Sequence, residues 1–211
     1  MSHKEQQDFL TYVRDKFPTK FENCRVLDIG SLDINGNNRY LFTNYEYIGL
    51  DIGEGNNVDV VSRGHEYKDE KQFDVIVSSE CFEHDEFWEL TIKNGIDLLK
   101  PNGIFLFTCA TTGRPEHGTK RTSPSDSPFT SSLENDYYRN LAEEDIRQSI
   151  NVDEIFSEYE FQSRLTWPQD LYFWGIKNGG SEYDVNTYTM NNPQYIAPRK
   201  TKLLFGIKKY K

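Results

Sequence analysis

"RVLDIGSLDINGN" (residues 25–37), followed by "YEYIGLD" (45–51), decides how this chain is read. A short apolar run that halts at Gly-Ser reads as a buried strand ending in a turn. Asp28 lies inside that run, and a carboxylate has no role in a plain core strand. Either the strand ends in an ordinary turn, or its end leaves room for a ligand.

The neighbouring segments favour the second. "VDVV" (58–61), "FDVIVSSE" (73–80) and "GIFLFTCA" (103–110) read as further strands. Residues 84–103 carry Trp88, Ile92, Ile96 and Leu99 on one helical face, with Asp85 as N-cap and Pro101 and Gly103 as the stop. An N-terminal helix over 4–17 presents Phe9, Leu10, Val13 and Phe17, closed by Pro18. Strands that are apolar on both faces and alternate with helix indicate a mostly parallel sheet covered on both sides, an α/β doubly wound fold. Residues 111–139 form a long loop, the expected substrate loop. "NLAEEDIRQSI" then predicts a helix with Asn140 and Glu143 at capping-box spacing, and "YEFQSRLTW" and "DLYFWGIK" a late strand pair. From 178 the chain is polar until "KLLFGIKKY". The whole of 1–211 reads as one domain, with a core at about 24–177 and an extension over 178–211.

Composition narrows the function. With 24 basic against 34 acidic residues the formal charge is −10, which disfavours nonspecific binding to nucleic acid or an anionic membrane. The start lacks the layout of a signal peptide, and no apolar run is long enough to cross a bilayer. Cys24, Cys81 and Cys109 fit neither a disulfide framework nor a zinc site. The expectation is a cytoplasmic protein with reduced thiols and no assigned metal ligand.

In open α/β sheets ligands bind at the carboxyl ends of the strands. Gly30 and Ser31 follow the first strand, and Gly30 allows close backbone approach to a ligand. Asp51 ends the next strand, 21 positions after Gly30, where an acid can accept both hydroxyls of a ribose. A tight turn and a solvated aspartate are the plain alternative, and the βαβ frame favours ligand binding. The dinucleotide pattern G-x-G-x-x-G would need glycine at Leu32 and Asn35, and Asp28 would repel a pyrophosphate. A cationic nucleoside, S-adenosylmethionine, suits that carboxylate, and nearby aromatic faces add cation–π attraction.

Through "VLDIGS", "YIGLD", "FDVIVSSECFEH" and "LLKPNGIFLFT", in that order, the chain resembles the class I S-adenosylmethionine-dependent methyltransferases, in particular small stand-alone type 11 domains, over about residues 24–177. The resemblance implies a seven-stranded sheet with one antiparallel strand and helices on both faces, the Rossmann-like methyltransferase fold. It implies S-adenosylmethionine as cofactor and S-adenosylhomocysteine as product. Asp28, Gly30 and Ser31 would line the methionine end, Asp51 would hold the ribose, Ile52 would lie on adenine, and Ser79 and Glu80 would flank the ligand. The chain departs from the pattern at Leu32 and Ile34, where further glycines are usual, and at Asn102, which replaces a turn glycine. The adenine contact after the third strand is assigned to the stretch at Arg63, Gly64 and His65.

Methyl transfer needs alignment above all, and an oxygen acceptor adds the need for a base. His84 and His117 are the catalytic candidates, although His84 also suits the first turn of a helix; Glu83 is assigned to helix capping. Arg114, Arg121 and Tyr137 are candidates for substrate binding, since Arg114, Lys120 and Arg121 against Glu116 and Asp126 give residues 114–126 of the loop a net charge of +1. A solvated loop face is the alternative. The expected acceptor is a small molecule or glycan, with no nucleic-acid or membrane partner; "NNPQY" (191–195) lies far from where an adenine-methylating motif would sit. An NAD(P)-dependent oxidoreductase and a non-catalytic binding module stay as competing functions.

Overall fold

The computed structural model describes residues 3–164 and 166–179 fully, and 202–204 and 207–210 as backbone strands. The parallel strands are β1 (Arg25–Ile29), β2 (Glu46–Asp51), β3 (Val60–Val61), β4 (Phe73–Ser79) and β5 (Leu99–Ala110). Next come β6 (Phe156–Ser163) and β7 (Asp170–Lys177), then the hairpin strands β8 (Lys202–Leu204) and β9 (Ile207–Tyr210). The sheet order is β3-β2-β1-β4-β5-β7-β6-β9-β8. β7 runs antiparallel between β5 and β6, so seven strands hold the expected arrangement and β9 and β8 extend its edge.

Alternation along the strands builds two cores. Val26, Val75, Val77, Ile104, Leu106 and Trp174 face the helix α1 (Lys4–Lys16), which contributes Phe9, Leu10 and Val13. Leu27, Ile29, Ile76, Phe105, Phe107 and Phe173 face the other way, onto α2 (Trp88–Leu98), α4 (Glu143–Ser149) and α5 (Val152–Ile155). Helices therefore lie on both faces, but unevenly. The connections β1–β2, β2–β3 and β3–β4 contain no α-helix, and the first holds only a 3-10 turn at Asn38–Leu41.

Several local expectations change. Asp85 precedes α2 by a turn, taking Phe87 N–H at 2.8 Å, and Phe87 is the N-cap. The far end of α2 runs straight into β5, and the buried Lys177 ammonium caps its carbonyls at Ile96 (2.7 Å) and Leu99 (2.8 Å). Asn102 adopts a left-handed φ of 61°, the turn that asparagine tolerates in place of glycine. At α4 the cap is Asp145, which takes the Ala142 N–H at 2.8 Å; Asn140 instead donates to the Arg114 carbonyl at 2.8 Å. Residues 111–139 are partly built, with α3 (Pro128–Ser132) inside them. Among the described residues no helix is long and apolar enough to cross a membrane, and all three cysteines are free. The "NNPQY" stretch lies outside the described residues.

Candidate active site

Parallel register brings three strand ends to one edge: Ile29 lies beside Leu50 on β2 and beside Ser78 on β4. The turns after β1, β2 and β4 open there into a cleft of about 1150 Å³, counting its mouth. Asp28, Gly30, Ser31, Asp51, Ile52, Ser79 and Glu80 all line it, as do His84 and Tyr137. Arg63 and Gly64 line it too; His65 turns away and lies 4.5 Å from the Phe87 ring centroid.

Gly30 has a φ of +78°, and a Cβ there would meet Cys81 Cβ and Sγ at 2.6 Å. Glycine is thus required by the seating of this turn against the end of β4, a different reason from ligand approach. Left-handed strain and overpacking together predict that Gly30→Ala lowers stability by about 2 kcal/mol. A urea-unfolding midpoint equal to that of the wild type would refute this.

The turn after Gly30 is tied to β2 and its following loop. The Ser31 hydroxyl donates to the Asn57 carbonyl at 3.0 Å, and the Asn57 amide returns a bond to the Ser31 carbonyl at 2.8 Å. Asp51 accepts from Leu32 N–H at 3.0 Å and from its neighbour Ile52 N–H at 2.7 Å. Each carboxylate oxygen keeps a second lone pair for a ligand. Burial raises the Asp51 carboxyl above its ordinary value, against those two backbone donors. Residues 31–37 form no helix; Asp33 closes them by accepting from Gly36 N–H at 2.7 Å and from the Asn37 amide at 2.8 Å. No helix N-terminus therefore meets a ligand at this turn, as pyrophosphate binding would require.

Asp28 is buried on the floor of the cleft. Tyr47 OH donates to it, as does Asn38 Nδ2 at 3.2 Å. Among the described residues no cationic side chain forms an ion pair with it. Burial pushes its carboxyl up to about 6, despite the two donors. Asn38 also reaches Ser79 Oγ at 3.2 Å, so one amide joins the ends of β1 and β4. Neither Asn38 nor Phe129, whose ring would lie 2.7 Å from a Cβ on Gly53, was singled out in the sequence. Phe129, with Leu133 and Asn135, roofs the cleft from the 111–139 segment.

Behind the cleft lies a buried polar cluster. Glu80 has a φ of 52° at the turn after β4, and its carboxylate meets Gln6 of α1 and Arg114 (3.1 Å). Burial alone would raise the Glu80 carboxyl, but His117 and Arg114 prevail and hold it low. Arg114 is also ion-paired with Asp170 at 2.5 Å. Arg121 pairs with Glu116 at 2.8 Å and with Asp136 at 3.3 Å. Neither arginine lines the cleft. Their charges are already matched, which corrects the reading of the loop as an anion-attracting surface; Arg114 instead pins the 111–139 segment to the core.

His84 is buried, and burial with the His117 charge pushes it down to about 3. It stays neutral and is a poor base at neutral pH. His117 lies outside the cleft lining, with its ring centroid 5.2 Å from that of His84. Its Nδ1 lies 3.2 Å from the Pro115 carbonyl and 3.1 Å from Tyr138 OH. Glu83 does not cap α2. Its Oε1 takes the Ala110 N–H at 3.0 Å from the end of β5, and burial and the Glu80 charge push its carboxyl well up.

A mostly parallel sheet of this order, with an acid-ended second strand at an open cleft, defines a Rossmann-like protein of the methyltransferase type. The sequence matches the family model Methyltransf_23, a methyltransferase domain, over residues 1–144, and the chain belongs to that family. It is an S-adenosylmethionine-dependent methyltransferase. A search of curated protein sequences finds no match. Among solved structures, the chain is similar to a 1,6-didemethyltoxoflavin-N1-methyltransferase from Burkholderia thailandensis, solved with 1,6-didemethyltoxoflavin and S-adenosylhomocysteine: 16% identity, 80% of this chain and 76% of that one, TM-score 0.57. The N-methyltransferase NodS from Bradyrhizobium japonicum, solved with S-adenosylhomocysteine, shares 13% identity over 85% of this chain and 90% of that one, TM-score 0.55. The N-terminal domain of EvdMO1, solved in the presence of S-adenosylhomocysteine and D-fucose, shares 14% identity over 84% and 85%, TM-score 0.56.

Proposed function

We propose that this enzyme methylates a small molecule, a glycan or another polar metabolite, held between the strand ends and the 111–139 roof. The observation that carries this reading is the roof itself: α3 and its flanks line the same cleft as Asp28 and Asp51. A site closed over in this way suits a compact acceptor better than a polymer. The toxoflavin precursor and the D-fucose of the similar structures are acceptor-sized molecules of this kind.

The chain's residues fit the cofactor. Asp28 offers a buried carboxylate without a cationic partner to the positively charged methionine end. Asp51 receives the ribose, Ile52 packs on adenine, and Ser31 and Ser79 hold the turns that frame it. S-adenosylmethionine supplies a methyl group activated on a sulfonium, which leaves to an in-line acceptor while the bonding pair stays on sulfur. The residues' part is to align and to exclude water, which contributes roughly 7–11 kcal/mol in well-oriented reactions. His84, neutral and facing the cleft, hydrogen-bonds the acceptor and so orients it. The free thiols suit a cytoplasmic setting.

Thermal unfolding with S-adenosylmethionine, S-adenosylhomocysteine, NAD and NADP tests the cofactor side. A ligand at about a hundred times its Kd adds roughly 2.7 kcal/mol, or about 5–10 °C for a chain of this size. The two sulfur nucleosides are expected to shift the midpoint and the dinucleotides to leave it unmoved. A shift with NAD alone would overturn the assignment in favour of an oxidoreductase, and no shift at all would favour a binding module.

A further inference from the structure

We propose that Glu83, His84 and His117 form a binding site for one divalent transition-metal ion of the zinc type, placed beside the cleft. One donor atom from each of the three lies within 4.8 Å of the others. Glu83 Oε2, His84 Nδ1 and His117 Nε2 are all buried and have no partner at hydrogen-bond distance, the Glu80 carboxylate standing 3.6 Å from His117 Nε2. Three buried polar atoms without a partner, on residues whose ligand atoms approach one another this closely, are costly unless something meets them.

The second atom of two of these ligands is already fixed. Ala110 N–H holds Glu83 Oε1 at 3.0 Å, which leaves Oε2 free. The Pro115 carbonyl, which can only accept, lies 3.2 Å from His117 Nδ1, and Tyr138 OH lies 3.1 Å from it; with the proton on Nδ1, Nε2 presents its lone pair to an ion. Metal-binding histidines are oriented by this kind of outer contact. Arg139 N–H further fixes the Glu83 backbone at 2.8 Å.

The neighbouring ion pairs leave Glu83 apart. Among the buried carboxylates, Glu80 is paired with Arg114, and Asp170 with Arg114 and His3 (3.2 Å). Among the described residues Glu83 is paired with no lysine or arginine, and the His117 ring lies 4.0 Å from its Oε1. His3, Glu80 and Asp170 also cluster closely, but the Arg114 guanidinium already occupies the space between Glu80 and Asp170. Two imidazoles and one carboxylate are a ligand set for zinc or iron(II), with a further position open to substrate. A tetrahedral zinc would hold such donors about 3.3 Å apart, so binding draws the three side chains together by an ångström or so. The His84 side of the site faces the cleft. There the ion would polarise a hydroxyl of the methyl acceptor. That use rests on the proposed function; the site itself rests only on the three side chains.

The test uses the full chain, stripped with a chelator and titrated with cobalt(II), whose visible ligand-field bands report coordination, followed by displacement with zinc(II). One equivalent should bind, with the band intensity of a four- or five-coordinate site. Glu83→Gln keeps the carbonyl that accepts from Ala110 and loses the charge; it and His117→Ala should each weaken binding about 100-fold or more. S-adenosylhomocysteine affinity, measured by calorimetry on the same samples, should hold in both variants. Absence of cobalt bands, or cobalt binding that survives both substitutions, would overturn the site; a proton shared by Glu83 and His117 would then account for the cluster. Intact bands with no S-adenosylhomocysteine binding would instead overturn the cofactor assignment and leave the metal site standing.

Discussion

Asp28→Asn is expected to make the free protein more stable and its grip on S-adenosylmethionine weaker. Burial lifts the Asp28 carboxyl to about 6 from 3.8, with the Tyr47 and Asn38 bonds opposing the rise. Its folded pKa exceeds its unfolded one. Its contribution to stability is therefore complete below about pH 4 and is lost as the pH rises through about 6. At neutral pH the buried charge costs about 3 kcal/mol, which asparagine avoids while still offering an oxygen to Tyr47. The variant should melt several degrees higher at neutral pH, and the gap should close as the pH falls to about 4. Calorimetry should show S-adenosylmethionine bound about 10- to 100-fold more weakly, the scale of one lost charge-assisted contact. An unchanged affinity would remove Asp28 from the cofactor site, and a pH-independent melting gap would refute the buried charge.

Asp51→Ala should cost more affinity still. Two hydrogen bonds from ribose hydroxyls to a carboxylate are together worth about 3 kcal/mol or more, a loss of roughly 100-fold or greater. The same carboxylate ties Leu32 and Ile52 N–H groups to the end of β2, so a stability loss of about 1–2 kcal/mol accompanies it. Denaturant titration separates the two effects, because the domain stays folded at moderate temperature. Wild-type S-adenosylhomocysteine affinity in a folded Asp51→Ala protein would sink the ribose assignment.

Much of this was legible in the sequence for reasons that can be named. The strands at 25–29 and 73–79 are apolar on both faces, and their polar residues collect at the carboxyl ends where the cleft opens. Asp28 stood out because a charge within such a run demands a purpose. The missing helix after β1 also had a signal: Asn35, Gly36, Asn37 and Asn38 are poor helix formers and good turn formers. Other features are written only in three dimensions. Arg114 and Arg121 count as surplus positive charge over residues 114–126 in sequence, but folding sets Arg114 against Glu80 and Asp170 from outside the segment and Arg121 against Glu116 and Asp136 within it. Gly53 gives no hint that Phe129 covers it, and Asn38 carries no spacing that announces a bridge from Asp28 to Ser79. His117 meets Glu83 and His84 from a segment more than thirty positions away, so no local motif exists to be read.

The uneven distribution of helices divides the molecule's resistance to opening. Around β5, β6 and β7, aromatic rings such as Phe107, Phe161 and Phe173 interlock beneath α4 and α5. At the β2–β3 margin, by contrast, single polar ties bear the connections: Asn57 to Ser31, Asp59 to Gly49, Asp51 to Leu32. Such a margin unfolds locally at lower free energy than the aromatic half. The nucleoside seat is built on that weaker margin, so a bound cofactor completes the fold as well as occupying it. Amide protons of β2 would then exchange slowly only while the enzyme is loaded, and emptying the cleft would loosen one flank of the sheet and leave the other shut.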